Sequence, residues 1–204
     1  MSDEKDDLLT YLQRGRDAVV WKLEGAQEFD VRRPLTPTGT NLLGLVKHLV
    51  AVDSGYLGEV FGRPFPEPVP WAAEDAEPES DLWTIADESR EDLIALYRRV
   101  WVHSDATVAE LDLGTTGLVP WWPEERRHPT LRRVLVHLVA ETSRHAGHAD
   151  VVRELADGAL GDLPRYAERV ADDPARWAAH RARVQAAADA AGQGAPEDAP
   201  PSPC

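Results

Sequence analysis

The chain has 204 residues, 43% of them hydrophobic, and 36 acidic residues against 22 lysines and arginines give a formal net charge of −14. This length favours one medium-sized domain with a tail. The acidic charge excludes a nucleic-acid-binding surface, which needs clustered basic residues to neutralise phosphates. No apolar run approaches the roughly 20 residues of a membrane span. Because the acidic segment 1–7 is unlike a signal peptide, we expect a cytoplasmic protein with no membrane or nucleic-acid partner.

The sequence holds a single cysteine, Cys204, at its last position. One cysteine cannot form an internal disulfide framework or a zinc ribbon. At the end of the chain it is also poorly placed to act as a thiol nucleophile inside the fold.

Hydrophobic residues recur with the period of an α-helix, and no segment shows the alternation of a half-buried strand. Two proline-rich or glycine-rich connections separate the helical segments, at residues 63–80 and 114–129. The predicted helices cover residues 6–24, 40–62 with Thr40 as the cap, 81–111 with Ile85 facing inward, 130–155 with Thr130 as the cap, and 173–191.

This pattern predicts an all-α fold, a four-helix bundle with an additional C-terminal helix. We expect residues 1–191 to form the helical domain. Residues 192–204 combine glycine, proline and charge with almost nothing to bury, which predicts a disordered tail.

The most informative segment lies in the helix predicted over residues 130–155. At about 100° per residue, Glu141, His145 and His148 share one helical face. Val134 and Val152 point in nearly the same direction, so the polar residues interrupt a stripe that otherwise faces the core. A buried carboxylate beside imidazoles is costly unless it is paired or binds a cation. Glu141 and His145, four residues apart, have the spacing by which one helix supplies two metal ligands.

A further ligand must come from another helix, and His48 is the candidate because it lies between Leu45 and Val52 on an apolar face. We predict a divalent metal ion, with zinc as the first expectation and nickel, iron or manganese as alternatives that fit the same ligands. Three roles are open for His148: a fourth ligand, a residue that supports another ligand, or a contact to the substrate. The alternative for each histidine taken singly is a hydrogen-bonded core residue.

Three aromatic residues are candidates for substrate binding. Trp121 and Trp122 lie between two prolines and could either line a pocket or anchor the connection to the bundle. Tyr56, two turns beyond His48, could donate a hydrogen bond near the metal or serve as an ordinary core phenol. The sequence contains no phosphate-binding glycine loop and no serine-nucleophile motif.

Four passages resemble the DinB-like superfamily, especially the actinobacterial branch of mycothiol S-transferases and mycothiol-dependent maleylpyruvate isomerase. They are VWK at residues 20–22, LLGLVKHL at 42–49, LRRVL at 131–135 and ETSRHAGHAD at 141–150. The resemblance extends over about residues 6–160. It implies a four-helix bundle whose metal is held by His48 together with Glu141 and His145.

The resemblance also implies a function. It indicates a metal-dependent S-transferase or isomerase that joins a small-molecule thiol such as mycothiol to an electrophile, since a metal lowers the pKa of a coordinated thiol. The alternative is a metal-containing binding or stress-response protein without efficient turnover. The oligomeric state is left open, with a homodimer as one alternative.

Overall fold

The structure, a computed structural model, describes residues 3–193 and confirms the all-α prediction. The chain divides into two compact units, residues 1–167 and 168–204. Within residues 3–193 there are six α-helices, five single-turn 3₁₀ helices and two strands of two residues. The α-helices are α1 (Asp3–Trp21), α2 (Glu28–Arg32), α3 (Leu42–Leu57), α4 (Arg90–Glu110), α5 (Leu131–Asp157) and α6 (Pro174–Gln193). The strands are β1 (Ala159–Leu160) and β2 (Glu168–Arg169), and the 3₁₀ helices are Glu59–Phe61, Pro70–Ala72, Glu124–Arg126, Pro164–Tyr166 and Val170–Asp172.

Four long helices form the bundle in the first unit. Helix α1 packs against α5, while α3 packs against both α4 and α5. The buried face of α3 is mostly apolar, with Lys47, Asp53 and Ser54 as its buried polar residues, and the facing positions of α1, α4 and α5 supply the rest of the core. Among the residues at the centre of this core are Leu43, Val46, Val50, Tyr97, Val100, Leu131, Leu135 and Leu138. The bundle therefore places the apolar faces of α3 and α5 against each other.

Two predicted helix starts are wrong, and each error has a local cause. The cap of α3 is Asn41 rather than Thr40, because the Asn41 side chain accepts a hydrogen bond from the amide of Gly44 at 2.7 Å. Helix α4 begins at Arg90 rather than near residue 81, because Ser89 caps it by accepting from the amide of Asp92. Ile85 consequently lies in the connection and is half exposed rather than inward-facing.

Other boundaries agree more closely with the prediction. Thr130 caps α5 as expected, and the helix continues to Asp157, where Gly158 adopts the left-handed conformation that ends it. Helix α3 ends at Leu57, and a separate 3₁₀ turn, Glu59–Phe61, follows it. Helix α6 extends through residues 192 and 193, which the sequence assigned to the tail. The remaining predicted tail, with Cys204, lies outside the described residues.

The core also contains a buried charge that the hydrophobic pattern does not reveal. Arg16 of α1 is fully buried and donates two hydrogen bonds of 2.9 Å to the carboxylate of Asp53 on α3. A third bond of 2.9 Å joins it to Asp105 on α4. Burial alone would lower the pKa of Arg16, but the charges and hydrogen bonds of Asp53 and Asp105 outweigh burial and raise it. The three helices are thus held in register by a buried ion pair.

Within residues 3–193, no helix combines the length and the apolarity that crossing a membrane requires.

Candidate metal centre

Three side chains from two facing helices meet in the first unit. His48 comes from α3, and Glu141 and His145 come from α5 one turn apart. Each offers one ligand atom, and these three atoms lie within 4.8 Å of one another. The Nε2 of His145 is 3.0 Å from Oε1 of Glu141, and the Nε2 of His48 is 3.9 Å from the same oxygen. The structure thus brings together the three residues that the sequence predicts as ligands.

The spacing can be compared with that of a metal site. Ligands about 2.0–2.2 Å from one ion lie roughly 3.0–3.6 Å apart. The shortest distance in the cluster is within that range, and the longest requires an approach of about 1 Å, which is within the reach of side-chain torsions. In addition, the Nδ1 of His145 is buried and has no hydrogen-bond partner among the described residues. The nitrogen of His145 that lies beside Glu141 is Nε2, so the fit to a bound cation rests on the convergence of the three donors and not on this second nitrogen.

A residue that the sequence pattern did not reveal supports His48 from behind. The Nδ1 of His48 is 2.6 Å from Oδ2 of Asp81, which lies in the connection before α4. A carboxylate can only accept, so Nδ1 carries the proton and donates it. The lone pair of Nε2 is then free on the side of Glu141 and His145. A carboxylate that fixes a histidine in this way is typical of metal-binding histidines.

The position of Asp81 depends on how the long connection docks on α3. Gly44 allows the closest approach, because a Cβ atom built there would lie 1.9 Å from the carbonyl oxygen of Leu82. That carbonyl accepts a hydrogen bond from the side chain of Asn41 at 3.0 Å. Lys47 adds a bond of 3.0 Å to the next carbonyl, that of Trp83. Gly44, the glycine of the LLGLVKHL passage, therefore lets the connection approach α3 closely enough for Asp81 to reach His48.

A second set of contacts, further upstream, fixes the same connection to α3. The indole nitrogen of Trp71 donates to the carbonyl oxygen of Lys47 at 3.1 Å. The ammonium group of Lys47 lies 4.7 Å from the Trp71 ring centroid and forms an ion pair of 2.9 Å with Glu88. Trp71 and Asp81 are thereby fixed on the same side of α3.

Charge and burial favour the ligand forms of the two residues on α5. Burial lowers the pKa of His145, the nearby His48 lowers it further, and the Glu141 carboxylate only partly opposes them. For Glu141, burial would raise the pKa, but the hydrogen bond and charge of His145 lower it overall. A neutral imidazole and an ionised carboxylate are the forms that bind a metal. Both are therefore favoured near neutral pH.

The predicted substrate residues meet one another two turns further along α3. The indole nitrogens of Trp121 and Trp122 donate to the hydroxyl oxygen of Tyr56, at 3.0 and 2.9 Å. The ring of His137 packs against Tyr56 and Trp122, with centroids 4.8 and 5.5 Å away. The tryptophan connection is thus anchored to the bundle through Tyr56.

A cavity of about 390 Å³ connects these aromatic residues with the candidate metal centre. Its lining includes His48 of the candidate centre together with Asp81, Tyr56, Trp71 and Trp121. Both tryptophans bond to Tyr56, but Trp121 also lines the cavity and Trp122 does not. His148 is exposed and lies outside the three-residue cluster, with its ring centroid 5.3 Å from that of His145. Its ligation stays a prediction.

Comparison with known protein families identifies the family of this chain. The family model described as mycothiol-S-transferase matches residues 7–158, about three quarters of the chain. The chain belongs to the mycothiol S-transferase family. Residues 7–158 span α1 to α5 and contain His48, Glu141 and His145, so the family's extent includes the whole candidate centre. Membership confirms the resemblance and implies a small-molecule thiol as a substrate of mycothiol S-transferases.

The structural comparison agrees on the fold. A crystal structure of a conserved protein from Enterococcus faecalis is similar with a TM-score of 0.57 and 14% sequence identity. The match covers 76% of this chain and 98% of that one. At this identity the likeness shows a shared fold and nothing about substrates. None of the curated proteins matches the chain.

Proposed function

We propose that this member of the mycothiol S-transferase family transfers mycothiol to an electrophile and depends on a divalent metal held by His48, Glu141 and His145. The observation that carries the proposal is the convergence of these three donors from α3 and α5. Zinc suits two imidazoles and one carboxylate, and this donor set leaves room for an exogenous ligand.

When bound, the metal would lower the pKa of the thiol and supply a thiolate at neutral pH. The residues of the chain prepare the site for this step. Asp81 orients the ring of His48, and the one-turn spacing of Glu141 and His145 on α5 holds their Oε1 and Nε2 atoms 3.0 Å apart.

The neighbouring cavity serves the second substrate. Trp71 and Trp121 provide apolar walls that exclude water from the reacting sulfur. Tyr56 accepts both indole N–H groups, and its own hydroxyl proton has no acceptor among the described residues. It is therefore available to an acceptor atom of the substrate. We assign Tyr56 and Trp121 to substrate binding, and Trp122 to holding Tyr56 in place.

The test is a conjugation assay with mycothiol and a neutral fluorogenic electrophile such as monobromobimane, on protein of known metal content. Metal-dependent conjugation above the uncatalysed rate supports the proposal. Stoichiometric metal without conjugation favours the alternative of a binding protein. Isomerase activity and a cytoplasmic location stay predictions from the sequence.

A further inference from the structure

The cavity beside the candidate centre has acidic residues at its rim. Glu59 lies in the 3₁₀ turn after α3, and Glu77 and Glu79 lie in the connection before α4. All three are exposed. No lysine or arginine of the described residues lines the cavity. Two separate segments of the chain therefore supply carboxylates to one opening.

Among the described residues, no lysine or arginine shares the cavity lining with these carboxylates. Within residues 3–193, none of the three forms an ion pair. Lys47 lies behind Trp71, but its ammonium group is buried and already paired with Glu88. At the inner end, a divalent cation would be balanced by the carboxylates of Glu141 and Asp81. The rim then sets the electrostatic potential of the entrance, and it is negative.

The inner wall of the cavity offers a hydrogen-bond donor, the hydroxyl group of Tyr56. Tyr56 is 92% buried, since 8% of its surface is accessible, and its hydroxyl proton has no acceptor among residues 3–193. A buried donor without an acceptor indicates a ligand that brings one. Trp71 and Trp121 add apolar surface to the lining of the same cavity. A carbonyl or hydroxyl group on an uncharged molecule satisfies both conditions.

We propose that the cavity takes a neutral or positively charged electrophile with a hydrogen-bond acceptor for Tyr56, and that Glu59, Glu77 and Glu79 exclude carboxylate-bearing electrophiles. This inference rests on the proposed transferase function. Three carboxylates acting through mostly aqueous surroundings lower the rate with a singly charged anion about tenfold. Because the effect is electrostatic, it weakens as the Debye length falls to about 3 Å at 1 M salt.

The experiment compares iodoacetamide with iodoacetate, which are nearly the same size and differ in one charge. In both reactions the thiolate sulfur bonds to the CH₂ carbon, the carbon–iodine bond breaks with its electrons leaving on iodide, and the thiol proton is released to solvent. Each enzymatic rate with mycothiol is divided by the uncatalysed rate, which removes the difference in intrinsic reactivity. The triple variant Glu59→Gln, Glu77→Gln, Glu79→Gln removes the rim charge. Glu74→Gln is the matched control, since Glu74 is exposed in the same connection but does not line the cavity.

The native protein should favour iodoacetamide about tenfold at low ionic strength. The preference should fall to within about twofold in the triple variant and in 1 M salt, and Glu74→Gln should keep it. Equal enhancement of both reagents by the native protein, or an unchanged preference in the triple variant, would overturn the inference.

A measurement without turnover separates this inference from the proposed function. Quenching of the Trp121 fluorescence, taken as the difference between the native protein and Trp121→Phe, is compared for iodide, acrylamide and caesium. Each quenching constant is divided by that of the same ion with free N-acetyltryptophanamide. A normalised constant that is smaller for iodide than for caesium, with the gap narrowed in the triple variant, supports a negative potential at the rim even if no reagent is conjugated. Equal normalised constants for the two ions would overturn it even if conjugation occurs.

Discussion

Replacing Gly44 with alanine should weaken metal binding without touching any of the three proposed ligands. The added Cβ would lie 1.9 Å from the carbonyl oxygen of Leu82, and ordinary contact begins at 3.4 Å. The connection must therefore move by about 1.5 Å. Asp81 immediately precedes Leu82, so a comparable shift lengthens its 2.6 Å hydrogen bond to His48 beyond bonding distance.

Loss of such a supporting carboxylate typically lowers metal affinity 10- to 100-fold. We expect that range for both Gly44→Ala and Asp81→Ala, measured by competition with a zinc chelator. The double variant should lose no more than Asp81→Ala alone, because both changes remove the same contact. Gly147→Ala is the control, since Gly147 lies on α5 near the ligands and its added Cβ meets nothing within 4 Å. Native affinity in a folded Gly44→Ala protein would refute the argument.

Three further predictions concern stability, pH and the tryptophans. Arg16→Leu leaves the buried Asp53 carboxylate unpaired, so the free energy of unfolding should fall by about 3–5 kcal/mol, whereas Arg14→Leu breaks an exposed pair and should cost less than about 1 kcal/mol; equal losses in denaturant titrations would contradict this. Zinc affinity should stay constant from pH 8 to 7 and fall in acid, because the pKa of His145 is lowered from 6.5 and protons compete with the metal only below it; a decline already between pH 8 and 7 would show that His145 is not the controlling group. Trp121→Ala should raise KM for the electrophile roughly 2- to 10-fold at native metal content, while Trp122→Ala should mainly lower Tm; the reverse pattern would make Trp122 the substrate contact.

The sequence was sufficient for the parts of this protein that depend on local periodicity. The apolar stripes of α1, α3, α4 and α5 predict the bundle, and the four-residue spacing of Glu141 and His145 predicts one side of the centre. His48 could be found because a lone polar residue interrupts an apolar stripe. The meeting of the three ligand residues follows from burying those stripes against one another.

Features that depend on contacts distant in sequence could not be predicted in this way. Asp81 reaches His48 only because a connection folds back over Gly44, and its surroundings have no helical period to place them. Arg16 looks like an exposed residue in the sequence, because its partners Asp53 and Asp105 lie on other helices. The different roles of Trp121 and Trp122 likewise follow from the cavity, since the sequence offers two adjacent identical side chains.

The most direct test of the central claim is the rate of mycothiol conjugation as a function of zinc occupancy. Metal-free protein is titrated with zinc, bound zinc is counted, and the rate with monobromobimane is measured at each point for the native chain and for His145→Ala. We predict a rate that rises in proportion to bound zinc and saturates at about one ion per chain, with no such rise in His145→Ala. A rate independent of zinc occupancy, or a His145→Ala protein that binds zinc and conjugates like the native chain, would contradict the account.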